Sequence, residues 1–241
     1  MEDFKSCQVA ILCGGRGTRL KPTTDVIPKA LVELNGKPII DHIIKFYKSK
    51  GLREFVLCIG YKGEQIKSHC SSYPEDINFQ FSDAGEDASM LRRICHMRDQ
   101  MSERIFLSYC DTFIDLDLGL MLEEHTRKGA AMTMVTAKIK TPFGLLTYDA
   151  EGWVDSFKEK PIQNYYIGSL ILERTALDYV TEEMLDKSDG DGLVQFFETL
   201  AAKRLLASYD HSGPQMTFNT EGERQKAEAL LGHYYTISED V

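Results

Sequence analysis

Two arginines and a lysine follow the first apolar run of this sequence, and a glycine-rich turn carries the arginines. Val9-Ala10-Ile11-Leu12 leads into Cys13-Gly14-Gly15-Arg16-Gly17-Thr18-Arg19, and Pro28-Lys29 comes shortly after. Glycines let backbone N–H groups approach phosphate oxygens, and guanidinium forks match pairs of those oxygens. The chemistry on offer is the holding of a polyphosphate. The turn is not a P-loop, because no Gly-Lys-Ser/Thr follows. It is not a dinucleotide fingerprint either, because Leu20 occupies the third glycine position. A glycine turn after a strand is common; Arg16, Arg19 and the distal Lys29 give this one its weight. Further on, Asp111 closes an apolar run over 104–110, where an open α/β sheet presents ligand-facing residues. Of its acidic neighbours, Asp117 is expected to cap the next helix.

The elements that would position these residues alternate. Strands are expected at Gln8–Leu12, 31–34, 54–60, 78–82, 104–110 and 131–139, and helices at 39–50, 64–70, 91–101 and 118–128. Ile39, Ile40, Ile43, Ile44 and Tyr47 fall on one face of the first helix. The second half adds strands at 144–148, 154–158, 165–172 and 205–209, with Glu151-Gly152 as a hairpin turn. Helices at 175–185, 193–203 and 221–231 complete it. Helices alternating with buried strands imply an α/β fold with a mostly parallel, doubly wound sheet. No repeat or linker divides the chain, which predicts one domain over 1–241.

The bulk properties narrow the function. A composition 43% hydrophobic and 27% charged is that of a soluble globular protein. No apolar run approaches the roughly 20 residues that span a membrane. No secretory leader is visible, and six cysteines without CxxC spacing suit free thiols. The expectation is a cytoplasmic protein with no membrane partner. A net charge of −9 argues against a nucleic-acid surface. Residues 1–54 nevertheless hold ten Lys/Arg against six Asp/Glu, net +4, leaving −13 for the rest. A locally basic segment in an acidic chain fits a small anionic ligand.

Several pieces together carry a family resemblance. Residues 12–20 and 27–40, Ser82-Asp83-Ala84-Gly85-Glu86-Asp87, Tyr109-Cys110-Asp111, Phe143-Gly144 and Phe157-Lys158-Glu159-Lys160-Pro161 are the pieces concerned. Over most of the chain they resemble the signature of the sugar-1-phosphate nucleotidylyltransferases, a GT-A-like family. Asp-x-Gly-Glu-Asp is most similar to the glucose-1-phosphate cytidylyltransferase branch. The resemblance implies a three-layer α/β/α sandwich around a mostly parallel, Rossmann-like mixed sheet, with a nucleotide-binding half (1–140) and an acceptor-binding half (141–241). It implies transfer of a nucleoside monophosphate, CMP from CTP, to a sugar 1-phosphate or similar phosphate, with Mg²⁺ as cofactor and pyrophosphate released.

The resemblance also implies roles. Arg16, with the backbone of Gly15 and Gly17, would hold the β- and γ-phosphates. Lys29 would reach the α-phosphate and the attacking phosphate. Leu12, Gly14, Thr18, Asp83, Gly85, Glu86 and Asp87 would complete the nucleotide site. Asp111 and, near the last strand, Asn219 would ligate the metal. Gly144, Glu159, Lys160 and Tyr166 would meet the acceptor. A homo-oligomer is compatible with the resemblance.

Three departures from the branch stand out. Ala88-Ser89-Met90 replaces its Thr-Gly-Gly turn, Asn219 stands where an aspartate is expected, and Tyr166 stands in place of the asparagine of Asn-x-Gly. GTP, UTP and dTTP therefore stay open beside CTP. A heptose phosphate, an amino-acid phosphate or a phosphonate stays open beside a hexose phosphate. A non-catalytic, nucleotide-sugar-binding regulatory subunit is the rival from another class; intact Arg16, Lys29 and Asp111 oppose it.

Overall fold

The computed structural model describes residues 7–188, 190–218 and 220–234. Its centre is a seven-stranded sheet in the order Leu206–Asp210, Met132–Lys140, Ile162–Glu173, Arg104–Tyr109, Gln8–Leu12, Glu54–Ile59, Asn78–Asp83. Only Ile162–Glu173 runs antiparallel to its neighbours; every other pairing is parallel. The sheet is thus mixed and mostly parallel, as expected.

Alternation along the strands feeds two cores. Val9, Ile11, Phe55, Leu57 and Phe106 point to one face. Ala10, Leu12, Val56, Cys58, Ile105 and Leu107 point to the other. Helices Ile39–Ser49, Gly63–Cys70 and Leu118–Lys128 cover the first face. Met90–His96 and Asp191–Ala202 cover the second. Both faces are therefore dry, which is why the central strands read as continuous apolar runs. The five residues expected on one face of the first helix are all buried.

The chain leaves Gln8–Leu12 toward one sheet edge through Glu54–Ile59 and Asn78–Asp83. It then returns to the other side of Gln8–Leu12 as Arg104–Tyr109, in register Leu12↔Tyr109. This reversal of strand order opens a crevice beyond the carboxyl ends of those two strands, where open α/β sheets bind ligands.

Several element boundaries differ from expectation. The helix expected at 175–185 is a 3₁₀ stretch, Arg174–Tyr179, and a separate turn, Glu182–Leu185. Thr181 interrupts it in an extended conformation, its hydroxyl accepting from the Met184 N–H as an N-cap. The helix expected at 91–101 ends at His96. The strand expected at 31–34 gives way to a single 3₁₀ turn, Lys29–Leu31, followed by the short strand Glu33–Leu34. Asp117 caps its helix as expected, accepting from the Leu120 N–H at 2.9 Å. None of the six cysteines is in a disulfide. The hairpin of Leu145–Tyr148 and Val154–Lys158 forms, with Gly152 at φ 92° in its turn and every strand residue exposed.

Candidate active site

Two adjoining clefts occupy the crevice. The first, about 470 Å³, is walled by the glycine turn, Lys29 and the loop at 86–88, with Tyr109, Cys110 and Asp111 beyond. The second, about 410 Å³, lies among Tyr165, Tyr166, Gly168, Thr112, Gln215 and Thr217. Arg19, Tyr109 and Asp111 line both. Asp111 therefore stands at the junction.

The local sequence explains how the cations reach this place. Pro28 at φ −67° opens the 3₁₀ turn, in which the Leu31 N–H donates to the Pro28 carbonyl at 2.9 Å. With Ala30 and Leu34 fully buried, Lys29 is presented to the cleft. Its Nζ donates to Asp111 Oδ2 at 2.5 Å, and the two side chains are only 12% and 18% exposed. This is a short charge-assisted contact. The Thr112 hydroxyl donates to the other Asp111 oxygen at 3.2 Å. Neighbouring Cys110 is no nucleophile: burial, then the Asp111 charge, pushes its thiol up to about 12.

Arg16 reaches across the first cleft. Its Nη2 donates to Asp87 Oδ1 at 2.8 Å and to Glu86 Oε2 at 3.2 Å, and its guanidinium lies over the Tyr61 ring. These partners are exposed, so solvent screens the pairing and it is weak. A triphosphate can displace it. Gly17, at φ 60°, needs its missing side chain: a Cβ would lie 3.0 Å from Lys29 Cβ and from Thr24 Cγ2. The Thr24 hydroxyl donates to the Gly17 carbonyl at 2.9 Å and fixes the turn.

The other sequence-predicted residues divide by place. Leu12, Gly14, Gly15, Thr18, Glu86 and Asp87 line the first cleft. Asp83 and Gly85 do not; Asp83 Oδ1 accepts from the Gly85 N–H at 2.9 Å and shapes the loop behind it. Tyr166 lines the second cleft. Burial first, then Tyr109, raises its pKa well above the usual tyrosine range, and its hydroxyl makes no well-formed hydrogen bond. Gly144, Glu159 and Lys160 line neither cleft and stand on the hairpin side. Gly144 and Glu159 are together there: a Cβ on Gly144 would meet the Phe157 ring at 2.6 Å and the Glu159 carboxylate at 3.3 Å. Asn219 lies outside the described residues.

Sequence reasoning missed Arg93, Thr112, Gln215 and Thr217. The last two arrive on the three-residue strand Gln215–Thr217, paired with Thr112–Ile114. Strands that short carry no readable alternation.

A family model described as nucleotidyl transferase matches residues 8–213. The chain belongs to the nucleotidyl transferase family. As a nucleotidyltransferase it is 32% identical to the probable glucose-1-phosphate cytidylyltransferase of Bacillus subtilis, over 86% of this chain and 89% of that one. It is 30% identical to the glucose-1-phosphate cytidylyltransferase of Salmonella typhi, over 92% and 95%. In fold it resembles the HddC protein of Yersinia pseudotuberculosis complexed with GMP-PN, at TM-score 0.67 and 20% identity over 93% and 99% of the two chains. The nucleotidyltransferase thus has the mixed α/β fold of its family around the two clefts. Among the described residues no helix is long and apolar enough to cross a membrane.

Proposed function

We infer that this nucleotidyltransferase transfers CMP from CTP to a sugar 1-phosphate in the cytoplasm. The observation that carries the reading is the Lys29–Asp111 pair at the junction of two clefts, one lined by the glycine turn and the other by tyrosines and hydroxyls. The first cleft suits the nucleotide and the second the acceptor. An acceptor phosphate oxygen attacks the α-phosphorus. The new P–O bond forms as the bond to the β-phosphate oxygen breaks, and pyrophosphate leaves with the electron pair. The attacking oxygen is already anionic, so no general base is needed. The protein's task is positioning and charge neutralisation. Arg16 exchanges its carboxylate partners for the β- and γ-phosphates, beside the N–H groups of Gly15 and Gly17. Lys29 turns from Asp111 toward the α-phosphate and the incoming phosphate. Tyr166 forms part of the wall on which the acceptor rests, and Arg19, which lines both clefts, meets the acceptor phosphate.

The donor set fits magnesium. Asp111 is a single partly exposed carboxylate, and no cluster of three His, Cys, Asp or Glu exists among the described residues. Mg²⁺ asks for one or two carboxylates with phosphate oxygens and water making up the rest. When bound it would neutralise charge on the reacting phosphates.

CTP is supported by the cytidylyltransferase relatives and by the Asp83–Asp87 loop beside the first cleft. GTP is the competing nucleotide. The chain is 28% identical to the mannose-1-phosphate guanyltransferase of Candida albicans over 84% of this chain and 58% of that one, and Ala88-Ser89-Met90 lacks the glycines of the cytidylyltransferase turn. Pyrophosphate release is measured with Mg²⁺, glucose 1-phosphate or mannose 1-phosphate, and each of CTP, GTP, UTP and dTTP. CTP should give the highest kcat/KM. Lys29→Ala and Asp111→Asn should each lower kcat by about 10²–10³ with the fold intact, the scale for losing one electrostatic group. Undiminished turnover in Lys29→Ala rejects the mechanism.

A further inference from the structure

Arg93 is 4% exposed, a rare position for a charge. It projects from the helix Met90–His96 into the back of the first cleft. Its Nη1 donates to the Ile59 carbonyl at 2.7 Å, and its Nη2 to the Glu86 carbonyl at 3.0 Å. Ile59 is the last residue of a sheet strand; Glu86 belongs to the loop whose carboxylates hold Arg16. The glycine turn is the third wall. A Cβ on Gly14 would lie 2.4 Å from Nη1, and one on Gly60 would lie 2.2 Å from it. Two glycines thus leave a slot the thickness of a guanidinium. The Gly14 carbonyl in turn accepts from the Tyr61 N–H at 3.0 Å, tying the turn to the same strand end. A planar fork with fixed donor directions can bridge two carbonyls from within such a slot; an ammonium on a flexible stem cannot.

We propose that Arg93 is a positioning residue for the nucleotide: its guanidinium sets the gap between the glycine turn and the loop at 83–88, and so the geometry in which the triphosphate is held. The inference rests on the first cleft being the nucleotide site. Arg93 does not line the second cleft, so its loss acts on nucleotide binding and spares the acceptor.

The test uses the nucleotide with the highest turnover in the panel above. Arg93→Met keeps an apolar stem and removes the fork. Its KM for the nucleotide should rise about tenfold or more while the acceptor KM stays within about twofold. Amide hydrogen exchange at 84–88 should accelerate while the strand Arg104–Tyr109 stays protected. In Arg93→Ala, added ethylguanidinium should refill the slot and recover part of the nucleotide affinity. Arg93→Lys keeps the charge and covers the case in which the other two do not fold; it should show a smaller shift of the same kind. An unchanged nucleotide KM in Arg93→Met, or in Arg93→Lys where the others do not fold, overturns the proposal. So does an acceptor KM that rises as far as the nucleotide KM. If the wild type turns over none of the four nucleotides, the proposed function fails separately. CTP binding by calorimetry and exchange at 84–88 then decide for Arg93: both unchanged in Arg93→Lys overturns it, and weaker binding with faster exchange supports it.

Discussion

Gly14 and Gly15 are neighbours in sequence and opposites in what they permit. A Cβ on Gly14 would meet the Arg93 guanidinium and, at 2.6 Å, the backbone of Ile59. Backbone in a central strand cannot yield, so Gly14→Ala should cost about 1–3 kcal/mol through overpacking. A Cβ on Gly15 meets nothing within 4 Å, so Gly15→Ala should stay within about 0.5 kcal/mol of wild type. Urea unfolding of the two variants checks the contrast. Tyr166 gives the converse case, a side chain whose removal should help the fold. Its buried hydroxyl lacks a well-formed hydrogen bond, and an unsatisfied buried polar atom costs about 1–3 kcal/mol. Tyr166→Phe should therefore leave the melting temperature equal or higher while the acceptor KM stays within about twofold of wild type. A lower melting temperature would assign the hydroxyl a stabilising hydrogen bond in the fold instead. Much of the lining of the first cleft was legible because it is local: Gly14 to Arg19 are contiguous, Lys29 follows Pro28 shortly after them, and Asp111 follows an apolar run that marks a strand end. Arg93 was not legible. Its meaning depends on Gly14, Gly60 and Glu86 meeting around it, and between flanking Leu91 and Ile94 it reads only as one more helix residue.

At the level of elements, the strand Ile162–Glu173 shapes the second cleft by being irregular. Tyr166 pairs with Thr136 and Leu170 with Met134, so Ile167, Gly168 and Ser169 oppose the single residue Val135. Such a bulge bends the strand, here beside Tyr165 and Tyr166, which line the cleft with Gly168. Gly168 makes it possible, with φ 79° and Thr112 Oγ1 only 2.8 Å from where a Cβ would stand. Gly168→Ala combines backbone strain with that contact and should lose about 1–3 kcal/mol. It should also raise the acceptor KM with little change in the nucleotide KM, which steady-state kinetics against each substrate will separate. The regular elements were readable because both faces of the sheet are buried, giving unbroken apolar strands between amphipathic helices. The bulge and the short pair Thr112–Ile114 and Gln215–Thr217 were not, because each depends on partners far away in the chain.

For the molecule as a whole, acid stability should fall in two separable steps. His42 is buried and neutral: burial, the dominant effect, lowers its pKa against the opposing hydrogen bond to the Leu34 carbonyl at 2.8 Å. A base with a depressed folded pKa takes up its proton more readily when unfolded. Stability is therefore lost as pH falls below the ordinary histidine value of 6.5. Glu173 acts lower. Burial pushes its carboxyl up, but hydrogen bonds from His125 and Arg104, together with their charges, outweigh burial and hold it below the usual carboxylate range. Its contribution is complete above the unfolded carboxylate value of about 4.3. It disappears as pH falls through the lower folded value. Glu173 ends the one antiparallel strand of the seven-stranded sheet, Arg104 begins the strand that leads to Asp111, and His125 comes from the covering helix, where its Nδ1 lies 2.7 Å from the Thr133 hydroxyl. The cluster ties the end of the sheet opposite the clefts, so its loss should loosen the scaffold without touching the site. Denaturant titrations from pH 8 to pH 3 should show both steps. His42→Gln, whose amide can still donate to Leu34, should remove the upper step. Glu173→Gln should cost about 1.5–3 kcal/mol at neutral pH, the value of a hydrogen bond to a charged group, and should remove the lower step. A profile in which Glu173→Gln erased the upper step as well would mean that the two sites titrate as one coupled unit rather than by independent proton uptake.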